Sequence, residues 1–222
     1  AEKPGKTIFT GDFIRPDGSV KALHMLDGEP LLKRVLDSRP WAKNACSADY
    51  AFVLKDAPET REFVTNHLLN WYPDARVFYI SDYTRGAALS ALVATAAYTT
   101  ATDRLIVDLA DILYNSALDP DAMFDADDTL GGIALTFDSQ NPIYSYLEVD
   151  QNGAFIRAAE KIVISNNASA GTYLFASTPI YLRAVAHALE NENTQTHANL
   201  FFACPLFNGV ADPGKTVALQ SV

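Results

Sequence analysis

Glu160 and Lys161 stand side by side between a hairpin pattern and a glycine-containing strand in YSYLEVDQNGAFIRAAEKIVISNNASAGTYLF, residues 144–175. A carboxylate can accept hydrogen bonds from two sugar hydroxyls, while the ammonium beside it can meet a phosphate as a point charge. Gly171 would let the backbone come close to a ring. In outline this is a sugar-phosphate site, although an exposed, solvated Glu-Lys dipeptide fits the same spacing. The hairpin that would position the pair is legible. Tyr144, Tyr146 and Glu148 alternate with Ser145, Leu147 and Val149, Asn152-Gly153 tolerates the positive φ of a tight turn, and Ala154 to Ile156 form the return.

Three other segments carry chemistry. Gly11-Asp12-Phe13-Ile14-Arg15-Pro16-Asp17-Gly18 follows the strand pattern Ile8-Phe9-Thr10 and precedes Lys21. A loop leaving the carboxyl end of a first strand is where α/β sheets bind phosphates, with Arg15 and Lys21 as the positive charges; a surface turn with Asp17-Gly18 at its tip is the alternative. The glycine spacing is that of neither a Walker loop nor a dinucleotide fingerprint. Asp108 and Asp111, in LIVDLADILY, end the most hydrophobic strand, where a carboxylate can hold Mg²⁺ while phosphates and water complete its shell, or can serve as a cap or turn. Thr84-Arg85-Gly86-Ala87-Ala88-Leu89-Ser90 opens a helix of small residues, which admits a flat ring or phosphate to the backbone amides and equally allows close packing against the sheet. The acidic run DPDAMFDADDTL is not a calcium loop, since Phe124 and Leu130 occupy the positions that need Gly and Glu; it reads as a capped, solvated helix. His24, His67, His187 and His197 show neither metal spacing nor a nucleophile partner, and read as structural or exposed.

The elements that must position these residues alternate along the chain. Strands are expected at Thr7–Thr10, Tyr50–Leu54, Arg76–Ile80, Leu105–Val107, Ile133–Phe137, Ser145–Val149, Ala168–Phe175 and Thr216–Gln220. Helices are expected at Pro30–Ser38, Pro58–Asn70, Gly86–Tyr98, Pro120–Ala126, Pro179–Asn191 and Ala198–Leu206. Such alternation predicts a three-layer α/β sandwich around a mixed, mainly parallel sheet. The 222 residues, 49% hydrophobic and 20% charged, suit one soluble domain. Its halves would divide near residue 111, the first binding nucleotide (about 7–111) and the second, more antiparallel, holding the other substrate (about 112–222). A formal charge of -10 argues against nucleic acid or an anionic membrane as main partner, yet leaves room for a small anion held by local cations or a divalent ion. Cys46 and Cys204 read as buried thiols in a reducing compartment. No apolar run marks export or a membrane span, so a cytoplasmic chain is expected, and a homo-oligomer is allowed.

Taken in order, these segments resemble the sugar-phosphate nucleotidyltransferase family, in particular the capsule and lipopolysaccharide branch related to glucose-1-phosphate thymidylyltransferase. The match runs from about Ile8 to Val222. Lys21-Ala22-Leu23 and Leu26-Asp27-Gly28-Glu29-Pro30 look like the family's P-K-P-L and D-G-K-P pieces, and Thr84 to Ser90 resembles its T-x-G-A-A-x-T segment against the nucleotide. Leu105 to Asp111 resembles the strand whose last Asp binds Mg²⁺, which points to Asp111 over Asp108. Residues 144–175 resemble the S-Y, E-K and G-x-Y-x-F run, and Phe202 to Asn208 a late C-P-x-Y-N segment. The fold implied is a Rossmann-like nucleotide-diphospho-sugar transferase. By resemblance Arg15 and Lys21 face a nucleoside triphosphate; Gly11, Thr84, Gly86 and Ala87 bind its nucleotide; and Glu160, Lys161 and Gly171 hold the sugar-1-phosphate. The reaction implied is attack of the sugar-1-phosphate on the α-phosphate with release of pyrophosphate, in cell-surface polysaccharide synthesis.

Departures fall on the triphosphate side. Phe13 takes the place of a second loop glycine, where its side chain would block the backbone from the triphosphate. The stretch to Lys21 is shorter than in the family, and no residue stands in for a second metal-binding Asp that the family carries in a later segment. Two alternatives therefore accompany transfer. One is a catalytically degenerate sugar-phosphate or sugar-nucleotide binding domain with a regulatory role, and the other a metal-dependent glycosyltransferase of the same architecture.

Overall fold

The apolar runs become one nine-stranded sheet in the computed structural model, which describes residues 5–11, 13–15, 17–81 and 84–222. The first half supplies β1 (Lys6–Thr10), β2 (Tyr50–Lys55), β3 (Arg76–Ile80) and β4 (Leu105–Asp108). From the second come β5 (Leu130–Asp138), β6 (Ser145–Val149), β7 (Phe155–Glu160), β8 (Asn167–Phe175) and β9 (Thr216–Ser221). Across the sheet the order is β9-β5-β8-β4-β1-β2-β3, with β6 joined to β8 and β7 to β6. Only β8 runs against its neighbours on that path, antiparallel to both β4 and β5; the other pairings are parallel. The sheet is thus mixed and mainly parallel.

Helices cover both faces, which is why β4 is apolar up to its last residue, Asp108, and buried along its whole length. On one face, α3 (Ala87–Tyr98), α5 (Thr178–Glu190) and α6 (Leu206–Ala211) pack on Ile8, Val53, Val107 and Tyr173. Alanines at 88, 91 and 94 let α3 lie close to the strands. The other face holds α1 (Leu31–Asp37) and α2 (Pro58–Phe63) against Phe9 and Phe52, and α4 (Pro120–Ala126) beside Ile106 and Leu135. Asp119 caps α4 by accepting from the Ala122 amide at 3.1 Å, and Arg104 pairs with Asp121 and Asp125.

Three expectations change. The return strand of the hairpin does not stop at Ile156 but runs on to Glu160, so the carboxylate sits on a strand paired with Ser145. No helix spans 198–206. Thr196–His197 and Leu200–Phe201 pair across Ala198 and Asn199, whose φ values of 51° and 61° form a two-residue turn, and α6 begins only after Pro205. A proline inside a helix would lose a hydrogen bond and clash, so it marks the start instead. Finally, Cys46 is exposed rather than buried; its thiol meets Asp49 Oδ2 at 3.1 Å across the turn at Ser47–Asp49.

Candidate functional site

The carboxyl ends of β1, β2, β3 and β4 open onto two adjoining clefts. Each cleft takes a wall from the second half of the chain. Where β4 ends, its two aspartates part company. Asp108 is fully buried and paired with Arg39 at 2.7 Å. The Ala110 amide, at 2.7 Å, and the Thr172 hydroxyl, at 3.2 Å, also donate to it. Its lone pairs are spent inside the protein. Ala110 then turns the chain through φ 54°, and Asp111 emerges with 42% of its side chain exposed. Protein crowding still pushes its carboxyl above the ordinary value; Lys21 pulls it down, and Asp108 adds to the rise. Lys21 Nζ stands 3.8 Å from Asp111 Oδ2, so the expected triphosphate lysine and metal carboxylate are neighbours.

The loop after β1 is placed less as expected. Arg15 is exposed on a turn closed by its amide to Ser19 at 2.8 Å, and it lines neither cleft. Phe13 does not block the cleft. Its ring is buried with Phe9, Ala22 and Leu32, because an apolar side chain gains more from the core than from a polar opening. Asp12 and Pro16 lie outside the described residues.

The first cleft, about 490 Å³, is lined by Gly11, Lys55, Ser81, Thr84, Gly86 and Ala87 among others. Thr84 and Ser90 share a hydrogen bond of 2.8 Å at its edge. Gly86, at φ 108°, is required for a reason internal to the protein. A Cβ there would lie 2.3 Å from the Phe201 carbonyl oxygen, and the Phe201 amide donates to the Arg85 carbonyl at 2.7 Å. Close packing thus claims part of the freedom that the sequence also offered to a ligand.

The second cleft, about 420 Å³, brings together Asp111, Glu160, Lys161 and Gly171 with Tyr144, Ser145 and Phe202. Glu160 is buried and accepts a short hydrogen bond from the Ser145 hydroxyl. Burial pushes its carboxyl above the usual value, while that hydrogen bond, Lys161 and His197 pull the other way. Lys161 is exposed at φ 54°, its ammonium 5.5 Å from the centre of the Phe202 ring. Gly171 sits at φ 75° in an irregular stretch of β8, where a side chain would meet Asp111 and Leu109. Phe202 and Ala87 line both clefts, so the two share a wall.

Glu160, Lys161, Gly171 and Asp111 therefore meet in one cleft, with Lys21 outside its lining but 3.8 Å from Asp111, while Gly11, Thr84, Gly86 and Ala87 meet in the other. Residues not foreseen are Lys55 and Ser81 at strand ends, Ser145 beneath Glu160, and Phe202. The strand alternation placed Ser145 beside the site, but only the β6–β7 register sets it against Glu160. Among the described residues no group of three or more His, Cys, Asp or Glu side chains could hold a metal ion. Asp111 alone fits Mg²⁺ in the way an ion carried mainly by phosphates and water is bound, through one carboxylate.

No protein-family model matches the sequence, and no curated protein does. Solved structures do share the fold. A nucleoside-diphosphate-sugar pyrophosphorylase from Vibrio cholerae RC9 superposes with a TM-score of 0.78 at 17% identity, covering 97% of this chain and 91% of its own. A provisionally assigned glucose-1-phosphate thymidylyltransferase from Bacillus anthracis, solved with sucrose, gives 0.70 at 15% over 100% and 87%. The inositol-1-phosphate CTP transferase of T. maritima gives 0.66 at 16% over 99% and 86%. The chain has the Rossmann-like α/β architecture that these proteins share.

Proposed function

We propose that the protein transfers a nucleotidyl group from a nucleoside triphosphate to a sugar-1-phosphate, giving a nucleotide sugar and pyrophosphate. The observation that carries this reading is the pair of clefts sharing Ala87 and Phe202, with Asp111 lining the second and Lys21 3.8 Å from it. The fold supports it too, since open α/β sheets bind ligands beyond the carboxyl ends of their strands. In this reading the nucleotide lies along Gly11, Thr84, Gly86 and Ala87. Glu160 accepts hydrogen bonds from sugar hydroxyls, Lys161 meets the sugar phosphate, and Gly171 leaves room for the ring. A phosphate oxygen of the sugar-1-phosphate forms a bond to the α-phosphorus as the bond to the β-phosphate oxygen breaks, and the pair of electrons leaves with pyrophosphate. Lys21 offsets charge developing on the departing oxygens, and Phe202 helps hold the reactants in line. Asp111 would hold a Mg²⁺ ion that neutralises phosphate charge and orients the reactants. The sequence resemblance adds the setting, supply of nucleotide sugar for surface polysaccharide.

A second reading, a sugar-phosphate binding domain without turnover, draws on Arg15, which stands outside both clefts. The two are separated by supplying Mg²⁺, each nucleoside triphosphate and a panel of hexose-1-phosphates. Transfer predicts pyrophosphate that depends on the sugar phosphate. Its absence with every pair, alongside thermal stabilisation by a sugar phosphate alone, would favour the binding domain.

A further inference from the structure

Just before Asp111 the chain is gripped from inside. Arg39 and Asp108, with side chains 1% and 0% exposed, lie in the interior. Arg39 Nε and Nη2 donate to the two Asp108 oxygens at 2.7 and 3.0 Å, and Nη2 donates again to the Ile112 carbonyl at 3.1 Å. Its guanidinium lies 4.1 Å from the centre of the Tyr114 ring, whose hydroxyl meets that of Thr172 at 2.8 Å. These bonds hold residue 108, then 110 through its amide, then 112. Asp111 is left projecting into the cleft.

Two features say that geometry, more than stability, is served. Ala110 adopts φ 54°, a region costly to residues with a Cβ, and so needs its neighbours to hold it there. Arg39 Nη1 is buried with no hydrogen-bond partner among the described residues. Apolar residues of similar volume would often serve stability as well as such a buried ion pair, without orphaned donors. We propose that Arg39 is a positioning residue. Acting through Asp108 and the Ile112 carbonyl, it fixes the backbone on both sides of Asp111, so that this carboxylate is already aimed when a phosphate-bound divalent cation arrives. The proposal rests on the reading of Asp111 as the cation ligand.

The test is Mn²⁺ binding in the presence of inorganic pyrophosphate, read by electron paramagnetic resonance, which needs neither turnover nor knowledge of the base. The double variant Arg39→Met with Asp108→Leu removes both charges and keeps the volume. It is expected to melt near the native temperature and yet bind Mn²⁺ roughly tenfold more weakly or worse. Arg39→Lys keeps the charge without the two-pronged fork and should weaken Mn²⁺ binding as well. Native Mn²⁺ affinity in the folded double variant, or in Arg39→Lys should the double variant not fold, overturns the proposal. Asp111→Asn separates the premise. If it loses Mn²⁺ while the double variant keeps it, only the role of Arg39 falls; if it binds Mn²⁺ like the native chain, the reading of Asp111 falls and Arg39's role with it.

Discussion

Lys21 and Asp111 face each other 3.8 Å apart beside the second cleft, an opposite-charge pair in one small region. In the proposed reaction a positive charge there would serve departing phosphate oxygens, and removing one preorganised charge of this kind costs roughly 100- to 1,000-fold in turnover. Lys21→Ala is expected to show that loss in steady-state kinetics, with melting temperature little changed because the pair is partly exposed. Glu160 makes a pH argument. Burial raises its folded carboxyl above the unfolded value, so its favourable contribution is complete below the ordinary value of 4.5 and is lost as pH rises through the folded one. Glu160→Gln should therefore gain melting temperature relative to the native chain at pH near 7 but not at acid pH, while its affinity for sugar phosphate falls by about 1 to 3 kcal/mol. Thermal scans across pH and titration calorimetry check the two halves of that statement. That Glu160, Lys161 and Asp111 were candidates was legible, because a carboxylate beside an ammonium and an aspartate after a buried strand are local patterns; that they line one cleft while Arg15 does not was not. Nor was what Phe13 would do. Whether its ring faces the cleft or the core depends on Ala22 and Leu32, which the chain brings to it from further along.

Elements decide how firmly those residues are held. Asn208 at the start of α6 clamps β7, accepting from the Ala158 amide at 2.8 Å and donating to the Ala158 carbonyl at 3.0 Å. It acts as a one-residue strand beyond the outer edge of β7, which carries Glu160 two residues on. Asn208→Ala leaves both backbone groups short of a partner. An expected cost of about 1 to 3 kcal/mol in denaturant unfolding should come with a larger loss of sugar-phosphate affinity than of nucleotide affinity. Gly86→Ala drives a methyl into the Phe201 backbone at a φ that disfavours any side chain, and should cost about 2 to 3 kcal/mol in the same measurement. An unperturbed melt would mean that the hairpin at 196–201 yields easily. That hairpin was not legible from the sequence. ANLFFACPL, residues 198–206, reads as an apolar helical run until the left-handed Ala198 and Asn199 are seen, and alanine gives no warning of such a turn. The long strands were legible because alternation and burial both marked them.

At the scale of the molecule, the antiparallel strand β8 lies between β4 and β5 and stitches the first half of the chain to the second. It brings Gly171 against Asp111 across a chain separation that no local motif spans. One sheet therefore supports both clefts, and in the proposed reaction the reactants bound in each would meet along their shared wall of Ala87 and Phe202, beside Asp111. The most direct test follows the oxygen atoms. With Mg²⁺, a nucleoside triphosphate and a sugar-1-phosphate whose phosphate oxygens carry heavy isotope, mass spectrometry should find all the label in the nucleotide sugar, bridging oxygen included, and unlabelled pyrophosphate. Failure of every nucleotide and sugar pair to yield a labelled nucleotide sugar, or label appearing in the pyrophosphate, would contradict direct attack by the sugar phosphate at this site.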